Sequence, residues 1–196
     1  MRTALGVLAL TAAVGAAAPG IEHWPLRAVI EVWIDGRDAP PGGDRLVERA
    51  MQTWTKAGEG RLTLRRTLIR TEADIQVLFV RDGGNYGETR PHVDAKTGLI
   101  DRADVAIAAD VPVEPLTRQI VAYLTALHEL GHALGLAHTT SFSDIMYLFR
   151  RPDDAPKYFG NYRALLRSAD DIGSATATGL SADDVQALRD LYDDRR

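Results

Sequence analysis

Cysteine is absent from this 196-residue chain. That excludes a disulfide framework, a thiolate metal site and a cysteine nucleophile. An excess of positive charge is missing as well. Lys and Arg number 23 against 27 Asp and Glu, a formal net charge of −4, with a pI near 5.7. Binding to a phosphate backbone rests on clustered positive charge, so nucleic acid is not an expected partner. Repeats, long low-complexity stretches and a dividing linker are lacking too. With 45% hydrophobic and 26% charged residues, the composition excludes collagen-like, coiled-coil and wholly disordered chains. A chain this long buries a core without help from cross-links.

One long apolar run is present, at the start. Arg2 precedes Ala4 to Ala18, which ends in Ala16-Ala17-Ala18 before Pro19. Small residues at such an end suit signal-peptidase cleavage, and the run is short for a bilayer span. Residues 1–18 are therefore expected to be a secretory signal peptide, and 19–196 one catalytic domain. No second run is long enough to cross a membrane, so no stable anchor is expected after cleavage. An exported, cysteine-free protein is expected outside the cell, or in the periplasm if bacterial.

Periodicity assigns the elements that follow. Alternation from Leu26 to Ile34 predicts a strand. Pro40 to Gly43 is a loop, after which Asp44 is expected to cap a helix burying Leu46, Val47, Ala50, Met51, Trp54 and Ala57. Strands are expected over Leu62–Arg70, Ala73–Val80 and Ala103–Ala109, with a more polar, exposed one over Tyr86–Val93. A helix runs from Leu116 through Leu134. Ser181 opens a last helix, with Asp184 three residues on as an acidic capping box. The fold class is α+β (α/β): a sheet covered by helices.

The chemistry concentrates in His128-Glu129-Leu130-Gly131-His132-Ala133-Leu134-Gly135-Leu136-Ala137-His138. Residues four apart share a helix face, so His128 and His132 can offer two nitrogens to one ion. Glu129 lies about 100° round the helix from His128. It is too poorly aimed to be a third ligand, but it can hold a water beside the ion. Gly135 is where the helix can end and reverse, which lets His138 return as the third ligand. Three His plus one open position is the pattern of a catalytic zinc site. The motif uses three of only five histidines in the chain.

Ser143-Asp144-Ile145-Met146-Tyr147 follows closely. With it, the chain resembles the metzincin metalloproteases, in which a tight turn carries a methionine beneath the metal; Met146 is the matching residue. Within that clan it looks most like the matrixins. ADIQVLF resembles their central strand, HELGHALGLAH their active-site helix and LSADDVQALRDLY their closing helix. The resemblance spans roughly Leu26 to Tyr192. It implies a twisted, mostly parallel sheet with an antiparallel edge strand. The active-site helix would belong to an upper part ending near residue 138, and the Met-turn and C-terminal helix to a lower part over 139–196. It also implies one catalytic Zn2+ and a peptide or protein substrate.

Some positions depart from the clan. Relatives that place a zinc-interacting Tyr two residues after the turn Met have no counterpart here, since Tyr147 follows Met146 directly and position 148 is Leu. With no cysteine, the thiol that blocks zinc in animal matrixins has no equivalent in this chain. His92 and Asp94 share an H-x-D spacing with the family's second zinc site. The remaining His23 is remote, so a second zinc is not expected. Asp82, Asp94, Asp101 and Asp104 could supply oxygens to Ca2+. Arg150, Arg151, Tyr158, Phe159 and Tyr162 follow the Met-turn. In matrixins this region walls the pocket for the residue after the scissile bond; here it either does so or packs as an insertion on the lower domain.

The expected function is a secreted, monomeric zinc endopeptidase. Zinc on His128, His132 and His138 would polarise the substrate carbonyl, and Glu129 would move the proton. The Tyr86–Val93 strand would pair with an extended peptide. Two alternatives are a non-catalytic secreted module that keeps the metal and a zinc hydrolase with non-peptide substrates.

Overall fold

Strict alternation builds the middle of the sheet. In β3 (Ile75–Val80) Ile75, Val77 and Phe79 are buried, while Gln76, Leu78 and Val80 are half-exposed on the other side. β5 (Ile100–Ala108) repeats the pattern with Ala103, Val105 and Ile107, as a sheet covered on one face requires. The computed structural model describes residues 22–81 and 85–193. The expected signal peptide at 1–18 and Asp82 lie outside the described residues.

β1 (Val29–Asp35), β2 (Thr63–Arg66) and β4 (Gly87–Val93) complete a five-stranded sheet of order β2-β1-β3-β5-β4. β1, β2, β3 and β5 run parallel, and β4 pairs antiparallel with β5 at the edge. The mostly parallel sheet with one antiparallel edge is the expected architecture.

Two helices cover the buried face. α1 (Gly43–Gly58) buries Leu46, Val47, Ala50, Met51, Trp54 and Ala57, the predicted stripe. Its Trp54 indole donates to the Leu127 carbonyl at 2.8 Å, tying it to α2 (Pro115–Ala133). α2 packs on β4 and β5 and against α1. Its start is capped by Glu114, whose carboxylate accepts from Leu116 N and Thr117 N at 2.9 and 2.8 Å, with Pro115 in the first turn. α4 (Ala182–Leu191) closes the chain with the Ser181/Asp184 capping box formed in both directions. Among the described residues, no helix is long and apolar enough to cross a membrane.

Three expectations need correction. Asp44 does not cap α1: the cap lies two residues earlier, at Gly42 with φ 76°, and no side chain caps the helix. Asp44 lies in the first turn, where its charge still opposes the helix dipole. The strand expected over Leu62–Arg70 ends at Arg66. Leu68 is 84% exposed, and a 3₁₀ turn over Arg70–Glu72 follows, so an apolar pair there finds nothing to pack on. A helix, α3 (Asp154–Ala164), stands between residues 134 and 181, where no element was expected.

Candidate active site

The three histidines are brought together by one helix and one chain reversal. α2 carries His128 and His132 one turn apart. Past Ala133 the helix ends in a Schellman motif: Gly135 N donates to His132 O at 2.9 Å and Leu136 N to Gly131 O at 3.0 Å. Gly135 sits at φ 95°, in the left-handed region that costs an L-residue about 1–2 kcal/mol. A Cβ there would also lie 2.1 Å from the Glu22 carbonyl oxygen. Gly135→Ala is therefore expected to lower the thermal midpoint by several degrees, at about 2–4 °C per kcal/mol for a chain this size. An unchanged midpoint in calorimetry would contradict the tight seating of residue 22 on this turn.

Beyond the turn His138 folds back. Its Nε2 lies 3.1 Å from that of His132 and 3.3 Å from that of His128, and the His128–His132 pair is also 3.1 Å apart. His128 Nδ1 faces the Ile145 carbonyl at 2.6 Å, and His132 Nδ1 faces the Leu136 carbonyl at 2.8 Å. A carbonyl only accepts, so both Nδ1 atoms carry the proton and both Nε2 lone pairs face the common centre. Tetrahedral corners about 2.0–2.1 Å from a zinc ion stand about 3.3–3.4 Å apart, close to this triangle. The residues present fit a zinc ion held by three histidine nitrogens. Burial holds His128 well below the usual imidazole range, and lowers His132 to about 4, each helped by the neighbouring imidazoles. Neutral nitrogens are what a metal needs.

The Met-turn lies against the same helix. Met146 is buried, and a Cβ on Gly131 would meet its sulfur at 2.5 Å, so the bare Gly131 surface lets the turn approach between the two α2 histidines. α4 grips this turn through its cap. The Asp184 carboxylate accepts from Ile145 N at 2.8 Å, Met146 N at 3.4 Å and Ser181 N at 2.8 Å. Ser181 Oγ donates to Asp144 at 3.0 Å. The cap of α4 thus holds the residue whose carbonyl orients His128. The capping box was expected; its hold on the turn was not visible in sequence.

Glu129 is 2% exposed and faces β4. Burial raises its carboxyl to about 7, against the opposing pull of the Thr89 hydroxyl. A Cβ on Gly87 would sit 2.6 Å from Glu129 Cγ and Oε1, so β4 approaches closely only because residue 87 has none.

A small cavity of about 20 Å³ opens beside His128, between Tyr86, Leu124, Phe149, Tyr158 and Phe159. The region after the Met-turn divides between its two expected roles. Tyr158 and Phe159 reach this cavity, whereas Tyr162 donates to Ala177 O at 2.6 Å and stacks on Tyr123 within the domain. Arg150 and Arg151 do not line the cavity; their backbone N–H groups donate to Asp154 at 2.8 and 3.0 Å. Phe149 was not singled out in sequence, and it completes the wall.

Among the described residues, His128, His132 and His138 form the only group of three or more potential ligands drawn together for a metal. Asp94, Asp101 and Asp104 do not converge. Asp94 Oδ1 accepts from Lys96 N and Thr97 N in its own turn, and Asp104 pairs with His92 at 2.7 Å. The Tyr147 hydroxyl is engaged by Asp154 at 3.0 Å.

The site is thus a histidine triad compatible with zinc, set on a helix beside a mixed sheet and a buried methionine. A family model described as matrixin matches residues 41–159, more than half of the chain. The chain belongs to the matrixin family, whose catalytic ion is zinc. It is 32% identical to interstitial collagenase of Oryctolagus cuniculus over 113 residues, covering 53% of this chain and 23% of that protein. Over 158 residues it is 29% identical to macrophage metalloelastase of Rattus norvegicus, 76% of this chain and 28% of that protein. Metalloendoproteinase 1 of Glycine max matches at 24% over 160 residues, 74% and 44% respectively. The chain thus spans less than half the length of these curated relatives.

Proposed function

We propose that this chain is a secreted endopeptidase in which His128, His132 and His138 hold one zinc ion, Glu129 is the general base, and Met146 is the structural base of the site. The observation that carries this is the triangle of Nε2 atoms at 3.1–3.3 Å with two of its tautomers set by backbone carbonyls. Bound there, zinc supplies a Lewis acid for the scissile carbonyl and lowers the pKa of water. Glu129, buried between α2 and β4, can take a proton from the attacking water and return it to the departing amine. Among the described residues β4 pairs only with β5, at the sheet edge, and an extended peptide can add as a strand on its other side. Secretion rests on the leader pattern of residues 1–18.

Backbone pairing is indifferent to side chains, so selectivity falls to pockets. The cavity beside His128 measures about 20 Å³, where one water needs about 10–15 Å³. It is small, and its walls are mostly aromatic and aliphatic. The side chain after the scissile bond is expected to be alanine-sized. Phe149→Ala should open the wall and shift preference toward Leu or Met by about tenfold or more, since a methylene in an apolar pocket is worth roughly 1–3 kcal/mol. Peptide-library cleavage by the parent, by Phe149→Ala and by a chelated sample tests both levels. Loss of cleavage on chelation supports the zinc peptidase. Identical profiles for the two proteins would reject the pocket, and no peptide cleavage by the zinc-loaded parent would reject the peptidase.

A further inference from the structure

Thr89 stands on β4 at an inward position, with Gly87 as its companion on the same face and Glu88 and Arg90 turned outward. It is 5% exposed. Its hydroxyl lies 2.7 Å from Glu129 Oε2 and 3.0 Å from the Glu129 main-chain carbonyl. A hydroxyl has one proton to give. The shorter contact and the charged acceptor direct that proton to the carboxylate. The side chain has little freedom to do otherwise, since a β-branched residue in a strand is stiff at χ1, and Thr89 is locked in register opposite Val105 of β5. The carboxylate is crowded from the same strand, because Gly87 leaves only enough room for Glu129. Strand β4, the edge offered to substrate, thus also carries the group that fixes the proposed base.

We infer that Thr89 is the positioning residue for Glu129: its hydroxyl, bonded to Oε2, fixes the carboxylate in the orientation from which it acts. This rests on the assignment of Glu129 as the base. The Thr89 side chain bonds Glu129 and acts through that residue. A misaimed base slows proton transfer without weakening the strand pairing that binds peptide, so the effect belongs in kcat and not in KM.

The test is steady-state kinetics per bound zinc for Thr89→Val, Thr89→Ser, Glu129→Gln and the double variant Thr89→Val with Glu129→Gln. Valine keeps the shape and β-branching while removing the donor; serine restores it. A hydrogen bond to a charged group is worth roughly 10- to 100-fold. Thr89→Val is expected to lose about that factor in kcat with KM unchanged, and Thr89→Ser to recover to within about threefold of the parent. Added to Glu129→Gln, the Thr89→Val change is expected to do nothing more. Parental kcat in Thr89→Val, failure of serine to rescue, or a further loss in the double variant would each overturn the inference. If Glu129→Gln itself turns over at the parental rate, the base assignment is what has failed, and the two failures are distinguishable.

Discussion

Glu129→Gln is expected to bind zinc as the parent does and to lose roughly 10²- to 10⁴-fold in turnover, the usual loss when a positioned proton-transfer group is removed. The amide keeps the side chain's size in a site where Glu129 is 2% exposed, and its carbonyl oxygen can still accept the Thr89 proton. What it cannot do is take a proton from water. The three imidazoles are untouched, because Glu129 is not among the side chains whose nitrogens converge. Metal content by mass spectrometry and kcat on a cleavable peptide separate the two properties. Parental turnover in the Glu129→Gln variant would remove Glu129 from the mechanism. Loss of zinc from that variant would make the carboxylate a structural support of the site.

His138→Ala is expected to abolish tight zinc binding and, with it, activity. Among the three candidate ligands His138 is the best one to remove. His128 is 4% exposed and bonded to the Met-turn, so its loss would disturb packing as well. His138 lies beyond the helix on the returning chain and is only partly buried. Two histidines on one helix turn then remain, without the third nitrogen that completes the set for a catalytic zinc. The readout is the thermal shift caused by zinc. A ligand at a hundred times its Kd stabilises by about 2.7 kcal/mol, which at this size is a shift of roughly 5–11 °C. The parent should show a shift of that order and His138→Ala almost none. An equal shift in both would show that the third ligand lies elsewhere.

The proposed ligands were legible because their relationships are local. Four residues separate His128 from His132, and Gly135 marks the reversal that returns His138; helix geometry alone relates them. Met146 was legible only by its place after His138, since a Met in an apolar turn has no signal of its own. The contacts that brace the site were not legible. Thr89 and Glu129 are forty residues apart, and so nearly are Asp184 and Ile145; a threonine in a polar strand and an aspartate in a cap carry ordinary local meanings. Which oxygen meets which donor is decided by how β4 and α4 dock on α2. α3 escaped for a different reason. Its buried set is only Asp154, Ala155, Phe159 and Tyr162; residues 155, 159 and 162 make one short stripe, and Pro156 and Gly160 lower the local helix signal. β2 stopped at Arg66, opposite Val32, although β1 runs on to Asp35; the apolar pair Leu68 and Ile69 that extends the local pattern is exposed.

Zinc titration into metal-stripped protein, with peptide cleavage followed at each addition, joins the metal, its stoichiometry and the chemistry in one curve. Cleavage should start near zero, rise linearly and break sharply at one zinc per chain. Glu129→Gln should take up the same single equivalent and stay almost silent throughout. Cleavage that persists in stripped protein, or that reaches its plateau only at a second equivalent, would contradict a single zinc on His128, His132 and His138 as the centre of the enzyme.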